Sequence, residues 1–316
     1  MSKPLKIAFV ILLLLVVVVY FGVNYATEHI LPYSPIRPSR CTAETLSKYY
    51  DHVLTPSAAG LDWTNFDITV EDTIHLRGWF VNSKANPAQG TIFLLHGIAS
   101  CKPTMIPTAE LLPSQGFNCV LYDSRANGES GGLNCTFGYF EKQDLSAYID
   151  STIVRFPNSK PYGVLGNSLG AAVALQAMAK DKRLVCGIVE SPFASLREVI
   201  HDYFARMFML RINAIPDRTL SFTEEIAHFS IDSVQPAISA KRIIQPTLVV
   251  HGLEDEHISS SYGKLVFDNL HSSQKEWYPI PHGDHNNLRS AGGEEYEQRI
   301  IRFFKDNLHL ISGSAN

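Results

Sequence analysis

The chain has 316 residues, of which 45% are hydrophobic and 18% are charged, a balance typical of globular proteins with a large buried core. Its formal net charge is −4, and its 27 basic residues form no stripe with interleaved aromatic residues. We therefore expect no nucleic-acid partner, because phosphate binding requires a clustered basic surface. The length allows one large domain or two small ones.

Residues 1–26 differ in composition from the rest of the chain. Lys3 and Lys6 precede an uncharged apolar run from Ile7 to Val23, which is near the short end of a bilayer span. The residues that follow add further uncharged length. The sequence therefore predicts an N-terminal transmembrane helix, a membrane anchor over residues 1–26 that meets the lipid through residues 7–26.

A cleaved secretory leader is the alternative interpretation of this segment. Such a leader normally has a shorter apolar region and a small-x-small cleavage site, whereas a cut after Ala26 would place Asn24 three residues from the cut. The two lysines lie closer to the apolar run than Arg37 and Arg40 on its other side. We predict a single-pass membrane protein whose main domain lies on the extracytoplasmic side.

Residues 27–60 are predicted to form a linker to a folded domain over residues 61–312. Three prolines would keep the first part of the linker extended: Pro32, Pro35 and Pro38.

Alternating strand and helix patterns follow in the predicted domain. An antiparallel hairpin is predicted from Phe66–Val70 and Ile74–Val81. The further predicted strands are Thr91–Leu95, Cys119–Tyr122, Tyr162–Leu165, Val185–Val189, Thr247–Val250 and Glu276–Ile280. The predicted helices are Met105–Gln115, Glu141–Phe156, Leu169–Lys180 and about Glu294–Leu308. This alternation predicts an α/β fold with a mostly parallel central sheet and helices on both faces.

Residues 195–240 interrupt the alternation with a helical pattern. Apolar side chains recur there at helical spacing, among them Tyr203, Phe204, Met207 and Phe208. An insertion of this length between two strands indicates a lid over a binding site. An extra helix pair packed on the core is the alternative.

The five cysteines leave at least one thiol unpaired. Cys119 and Cys186 fall in apolar strand-like runs and are expected to be buried. Cys101 and Cys135 fall in loops expected at the same edge of the sheet, where a disulfide would suit an oxidising compartment.

The segment Gly166-Asn167-Ser168-Leu169-Gly170 lies between a predicted strand and a predicted helix. This Gly-x-Ser-x-Gly pattern is typical of a nucleophile elbow, in which small flanking residues let a sharp turn expose the serine hydroxyl. Ser168 is therefore a candidate nucleophile. Leu169, the residue after it, would supply a backbone N–H to an oxyanion hole.

A serine nucleophile needs a base and a carboxylate that orients the base, and both are expected in loops after later strands. The loop after Thr247–Val250 offers three acids: Glu254, Asp255 and Glu256. The loop after Glu276–Ile280 offers two histidines: His282 and His285. The chain order of serine, acid and histidine is the one that this architecture requires.

These motifs together resemble the α/β-hydrolase superfamily from about Phe66 to Leu308, and within it the serine aminopeptidase-like and Bem46-like branch of lipase and esterase relatives. His251-Gly252-x-x-Asp255 is similar to the acid loop of that branch and singles out Asp255. Gly283-x-His285 is similar to its histidine loop and singles out His285. The resemblance also implies that Ile98 gives the second oxyanion N–H, with Ala99 where the family usually has glycine.

A metal site is the alternative for the histidine loop. His282-Gly283-Asp284-His285 is similar to the end of a metallo-hydrolase motif, but Ile280 stands where the first histidine of that motif should be. We therefore expect no metal and no organic cofactor. His96 and His257 have no matching role and are expected to be structural.

The predicted function is that of a membrane-anchored serine hydrolase that cleaves a carboxylester or thioester through an acyl-enzyme. The apolar residues of the predicted lid favour a hydrophobic acyl substrate. A small-peptide amide hydrolase and a non-catalytic binding or scaffold protein are the alternatives. A dehalogenase would need aspartate at position 168 and is excluded.

Overall fold

The computed structural model describes residues 2–48, 54–209 and 211–308. The strands within them are β1 (Trp63–Asn65), β2 (Ile68–Val70), β3 (Ile74–Leu76), β4 (Gly78–Val81), β5 (Gly90–Leu95), β6 (Phe117–Tyr122), β7 (Tyr162–Asn167), β8 (Leu184–Glu190), β9 (Thr247–Gly252) and β10 (Lys275–Ile280).

The α-helices of the described residues alternate with these strands from β5 onward. They are α1 (Lys3–His29), α2 (Tyr33–Ile36), α3 (Ala43–Ser47), α4 (Ile106–Leu111), α5 (Glu141–Arg155), α6 (Leu169–Met178), α7 (Leu196–Phe208), α8 (Ala214–Ala227), α9 (Pro236–Ala240), α10 (Ser260–Asn269) and α11 (Leu288–Asn307). Short 3₁₀ turns flank α4 and precede α9.

Eight strands form one sheet in the order β1-β4-β6-β5-β7-β8-β9-β10. The strands from β6 to β10 in that order are parallel, whereas β4 runs antiparallel to β6 and β1 runs antiparallel to β4. The predicted mostly parallel central sheet is therefore confirmed.

Side chains of the central strands alternate between two buried clusters. On β5, Phe93 and Leu95 pack with α5 and α6, while Ile92 and Leu94 pack with α4 and α11 on the other face. Every residue of β5 to β9 is buried, apart from Asn167 at the end of β7. A parallel sheet covered on both faces explains why these strands have apolar runs instead of a polar face.

The predicted second strand of the hairpin is divided in the structure. β2 and β3 pair as a separate antiparallel hairpin, but the chain then enters the main sheet as β4. The division falls at Gly78, where a Cβ atom would lie 2.7 Å from the Tyr148 hydroxyl and 2.8 Å from the Phe66 carbonyl oxygen. Only glycine lets the chain pass so closely from hairpin to sheet.

Two helices near the C-terminus differ from the prediction. α10 lies between β9 and β10, where no helix was predicted; it begins after Ser259, whose side chain accepts a hydrogen bond from the Ser261 N–H. α11 begins at Leu288, before the predicted start near Glu294, and is kinked at Gly293 with φ of 57°.

The segment after the predicted anchor is not extended, contrary to the expectation from its prolines. α1 continues to His29 and α2 follows, because proline is tolerated in the first turn of a helix. Ile36 is fully buried, and the Arg40 guanidinium donates to the carbonyl oxygens of Gly128, Ser130 and Gly132. The segment is therefore docked on the sheet-containing part of the chain.

The described cysteines form a different pair from the one that the sequence suggested. Cys41 is bonded to Cys101, with their Cα atoms 5.7 Å apart, while Cys135 is a buried thiol. Cys119 and Cys186 are buried thiols, as expected. The disulfide ties the docked N-terminal segment to the loop after β5.

The helices α7, α8 and α9 occupy the predicted insertion at residues 195–240, between β8 and β9. The domain bounds stay predictions, and residues 49–53 of the predicted linker and 309–312 of the predicted domain lie outside the described residues.

Candidate active site

Ser168 occupies a sharp turn between β7 and α6. Its φ of 53° and ψ of −110° lie in a strained region for a residue with a side chain, which costs about 1–3 kcal/mol. A Cβ atom on Gly166 would lie 2.2 Å from the Gly170 carbonyl oxygen, and one on Gly170 would lie 2.2 Å from the Leu95 carbonyl oxygen. Both glycines are therefore required for the sharp turn that holds Ser168 at the end of β7.

Asp255 and His285 converge on this serine from two neighbouring strands. Asp255 follows β9 and His285 follows β10, and these strands pair in parallel, so their carboxyl ends meet at one edge. Nε2 of His285 lies 3.0 Å from the Ser168 Oγ, and Nδ1 lies 2.7 Å from Asp255 Oδ2. In this arrangement the Nδ1–H donates to the carboxylate and the Ser168 hydroxyl donates to Nε2.

The neighbouring candidates form a separate contact. Glu254 and His282 lie 3.0 Å apart, between Oε1 and Nδ1, and both side chains are mostly exposed. Glu256 is exposed as well. The structure therefore brings Asp255 and His285 to Ser168, and not the other acids or His282.

The carboxylate of Asp255 is surrounded by donors. Its Oδ1 accepts hydrogen bonds from the backbone N–H groups of His257 and Ile258, at 2.9 and 2.8 Å. Burial alone would raise the pKa of Asp255, but hydrogen bonds from His251 and His285 outweigh it and hold this pKa well below its usual range. Asp255 is consequently ionised at neutral pH, as a group that stabilises an imidazolium must be.

His251 belongs to the site, but the sequence analysis did not assign it a role of its own. It lies on β9 with no exposed surface, and its Nε2 lies 2.9 Å from the Ile258 carbonyl oxygen and 3.4 Å from Asp255 Oδ2. A Cβ atom on Gly263 of α10 would lie 2.3 Å from the His251 Nδ1. The sequence signal that could have identified His251 is its place as the first residue of the His251-Gly252-x-x-Asp255 motif.

The two predicted oxyanion donors lie on either side of the elbow. Leu169 is the first residue of α6, so its N–H has no acceptor within the helix. The loop containing Ile98 runs against the elbow, since a Cβ atom on Gly97 would lie 3.5 Å from Ser168 Cβ. Ala99 has φ of 54°, which explains why glycine is usual at this position in the related family. The oxyanion role of both N–H groups stays a prediction.

The remaining histidines near the site differ in their surroundings. His96 is buried, and its Nε2 accepts the Ser124 N–H at 3.0 Å while its Nδ1 lies 2.6 Å from the Gly97 carbonyl oxygen. Burial lowers the pKa of His96, which suits a neutral ring that orders the loop. His257 is exposed, and its ring centroid lies 5.5 Å from that of His285.

α7 of the insertion lies beside these loops. The guanidinium of Arg206 donates to the His257 carbonyl oxygen at 3.2 Å, and the Tyr203 ring centroid lies 6.5 Å from that of His257. Leu196 and Val199 at the start of α7 are buried, whereas its last turn is exposed. The beginning of α7 is therefore packed in the core, whereas its last turn is exposed to solvent.

A buried carboxyl group lies behind the elbow. The Glu190 carbonyl oxygen accepts the Ser168 N–H at 2.8 Å, and the Tyr296 hydroxyl of α11 donates to the Glu190 carboxyl. Burial raises the pKa of Glu190 above its usual value, although hydrogen bonds from Tyr296 and Asn167 oppose the rise. Glu190 therefore holds the end of β8 against the serine turn through its carbonyl oxygen and against α11 through its carboxyl.

Replacing Tyr296 with phenylalanine should lower the free energy of unfolding by about 1–3 kcal/mol, because it removes a donor from a buried carboxyl. Since the folded-state pKa of Glu190 is raised, its protonated form favours folding at low pH, and this contribution is lost as pH rises through that pKa. The Tyr296 hydrogen bond opposes the rise in pKa by favouring the ionised carboxyl, so urea unfolding should show a larger loss for Tyr296→Phe at neutral pH than in acid. Tyr278→Phe on partly exposed β10 is the control, and equal midpoints for both variants would contradict the prediction.

The sheet order, the elbow and the loops after β9 and β10 together define an α/β-hydrolase fold. A sequence model of the family described as serine aminopeptidase S33 matches residues 86–235, a range that contains Ser168 and ends before Asp255. With the shared fold described below, this match confirms the predicted resemblance. The chain is a relative of the α/β-hydrolase superfamily.

Three individual proteins illustrate the relationship. The membrane protein YNL320W of Saccharomyces cerevisiae is 26% identical over 239 residues, which cover 75% of this chain and 78% of that protein. The thiohydrolase aneE of Aspergillus aculeatus is 29% identical over 170 residues, 50% of this chain and 51% of that protein. The esterase Pf2001 of Pyrococcus furiosus shares the fold, with a TM-score of 0.70 and 24% identity over 87% of this chain and 99% of the esterase.

Proposed function

We propose that this protein is a membrane-anchored serine hydrolase that cleaves a carboxylester or thioester through an acyl-enzyme. The observation on which the proposal depends is the continuous contact from Asp255 through His285 to Ser168, at 2.7 and 3.0 Å. A binding module has no need of this arrangement, whereas acyl transfer requires a nucleophile, a base and a group that orients the base.

The geometry supports a defined sequence of proton movements. His285 Nε2 takes the proton from Ser168 as Oγ attacks the carbonyl carbon, and ionised Asp255 stabilises the imidazolium that forms. The N–H groups of Leu169 and Ile98 would bind the developing oxyanion. The imidazolium then protonates the leaving group, and water attacks the acyl-enzyme with His285 again as base.

The choice of an ester or thioester rests on the apolar residues of α7 in the predicted lid. Tyr203, Phe204, Met207 and Phe208 of α7 favour a hydrophobic acyl group over a charged peptide. The name of the thiohydrolase aneE supports the thioester choice. A small-peptide amide is the second candidate, because the matching family is described as serine aminopeptidase. Parallel assays with a p-nitrophenyl ester and an aminoacyl p-nitroanilide separate the two.

Membrane anchoring is supported by the N-terminal helix. α1 is long and apolar enough to cross a bilayer, and almost all of its side chains are exposed to solvent. The yeast relative is named a membrane protein. The Cys41–Cys101 disulfide supports an extracytoplasmic domain, because such bonds persist in oxidising compartments.

A fluorophosphonate probe tests the catalytic proposal directly. The full-length protein should be labelled covalently, and mass mapping should locate the label on Ser168. Ser168→Ala is the matched control and should take no label. A wild-type protein that remains unlabelled would favour the non-catalytic scaffold.

His251 is expected to act as a positioning residue for Asp255. His251→Phe removes the only side-chain donor that approaches Asp255 besides His285 among the described residues, and should lower kcat about 10–100-fold with little change in KM. His251→Gln keeps an N–H donor and should recover much of the rate. The control is His282→Phe at the exposed neighbouring histidine; equal rates for the two Phe variants would show that His251 has no such role.

A further inference from the structure

The connection between α7 and α8 presents a cluster of exposed apolar side chains. We call this cluster the tip; it consists of Met207, Phe208, Met209 and Ile212, and Met209 is 93% exposed. Between Met207 and Pro216 the sequence contains a single charged residue, Arg211. A contiguous apolar patch of this kind usually marks a contact with another protein or with a membrane.

The N-terminal segment is docked on α8, the second of these two helices. Glu28 at the end of α1 forms an ion pair with Arg218 of α8, and the Thr223 hydroxyl of α8 donates to the Pro32 carbonyl oxygen at 3.0 Å. The two contacts also show that the two segments run in the same direction. Pro32 contacts Thr223, and Glu28, which is earlier in the chain than Pro32, contacts Arg218, which is earlier than Thr223. The start of α8 therefore points toward the apolar part of α1.

Helix geometry places the tip at the level where the apolar run ends. Ala214 begins α8 four residues before Arg218, about 6 Å along the axis at 1.5 Å per residue. The same distance along α1 from Glu28 leads to Asn24, next to the last residue of the apolar run. A bilayer that contains α1 would therefore have its surface beside the tip.

The tip is also close to the candidate active site. Tyr203 lies one helical turn before Met207 on α7, and Tyr203 and Arg206 contact His257 in the loop that also holds Asp255. Arg206, just before the tip, and Arg211, within it, are both exposed, and their charge suits anionic lipid headgroups.

We infer that the tip contacts the bilayer that holds α1, so that the site opens at the membrane surface and takes its acyl substrate from the lipid. The inference rests on the proposed anchoring and hydrolase function. A bilayer is a better occupant than a second copy of the chain, because the docked α1 brings lipid to the tip of every molecule and the charges of Arg206 and Arg211 match an anionic surface.

Depth-dependent fluorescence tests the contact without relying on activity. Full-length Met209→Cys is labelled with the fluorophore NBD in vesicles of phosphatidylcholine and phosphatidylglycerol. Ile244→Cys is the matched control, an exposed apolar position at the amino end of β9, on the edge of the sheet opposite the candidate site. The described native thiols are buried or disulfide-bonded, so unmodified protein gives the labelling background.

The label at position 209 should show blue-shifted emission that is lost when nitroxide-bearing lipids are added, and the label at 244 should show neither effect. Equal responses at both positions would overturn the inference. A blue shift at 209 that nitroxide lipids do not quench, and that grows with protein density, would assign the tip to a second copy and overturn it as well.

An activity measurement distinguishes this inference from the proposed function. The double variant Met209→Glu/Ile212→Glu should lower turnover of a long-chain acyl ester held in vesicles by roughly tenfold, because two charges oppose contact with an anionic surface. Its turnover of a short, water-soluble p-nitrophenyl ester should remain at the wild-type rate. Undiminished turnover of the vesicle-held ester by the double variant would contradict the membrane contact of the tip, but not the proposed hydrolase function. A wild-type protein that is inactive on both esters would contradict the proposed function. In that case the fluorescence experiment still decides whether the tip contacts the bilayer.

Discussion

Ser168→Ala should abolish turnover of short p-nitrophenyl esters, with a loss on the order of 10⁶-fold in kcat if the protein follows the proposed mechanism. The substitution removes the hydroxyl oxygen that lies 3.0 Å from His285 Nε2, while the elbow and its glycines remain. Undiminished hydrolysis by the purified variant would show that Ser168 is not the nucleophile.

The same position offers a stability control that does not depend on turnover. Alanine keeps a side chain at φ of 53° and should leave the free energy of unfolding nearly unchanged. Ser168→Gly should be more stable than Ser168→Ala by roughly 1 kcal/mol, because relief of backbone strain exceeds the added entropy of the unfolded chain. Thermal unfolding of both variants measures the difference, and a less stable glycine variant would contradict the assignment of strain to this turn.

Features that depend on local sequence were predictable. β5 to β9 are apolar because both faces of the sheet are covered, and the pattern of short apolar runs identified each of them. The elbow was predictable in part for a similar reason, since the steric limit at Gly166 is the Gly170 carbonyl oxygen four residues later, whereas the limit at Gly170 is the distant Leu95 carbonyl oxygen.

Features that depend on distant contacts were not predictable. Docking of the N-terminal segment rests on Arg40, whose carbonyl partners lie about 90 residues away, and on Thr223, which is 191 residues from Pro32. The Cys41–Cys101 pair follows from that docking, so spacing alone could not identify it. α10 was missed because only Gly263 and Val266 are buried in it, which leaves a weak helical pattern.

The choice among the three adjacent acids was only partly predictable from the local sequence. Glu254, Asp255 and Glu256 have equivalent positions in sequence, and only the resemblance to a known acid loop singled out Asp255. In the structure the short Asp255 side chain accepts the N–H groups two and three residues later, a local turn that aspartate favours and glutamate does not. That turn directs Oδ2 toward His285.

Asp255→Asn should lower kcat about 10⁴-fold for ester substrates while leaving KM nearly unchanged. The two backbone N–H groups at Oδ1 would fix the amide oxygen on their side, so the amide NH₂ would replace Oδ2 and face His285 Nδ1. His285 would then keep its proton on Nε2, opposite Ser168, where it cannot accept the hydroxyl proton.

The control for this variant is Glu254→Gln, which changes an exposed acid paired with His282 and should retain the wild-type rate. The pH dependence of unfolding gives an independent check. Because the folded-state pKa of Asp255 is lowered, the ionised carboxylate stabilises the fold above the usual aspartate pKa of about 3.9, and this contribution is lost as pH falls through the lowered value. The stability difference between wild type and Asp255→Asn should therefore be full at neutral pH and shrink in strong acid. A rate within tenfold of wild type, or a stability difference that does not change with pH, would mean that Glu254 or Glu256 orients the base instead.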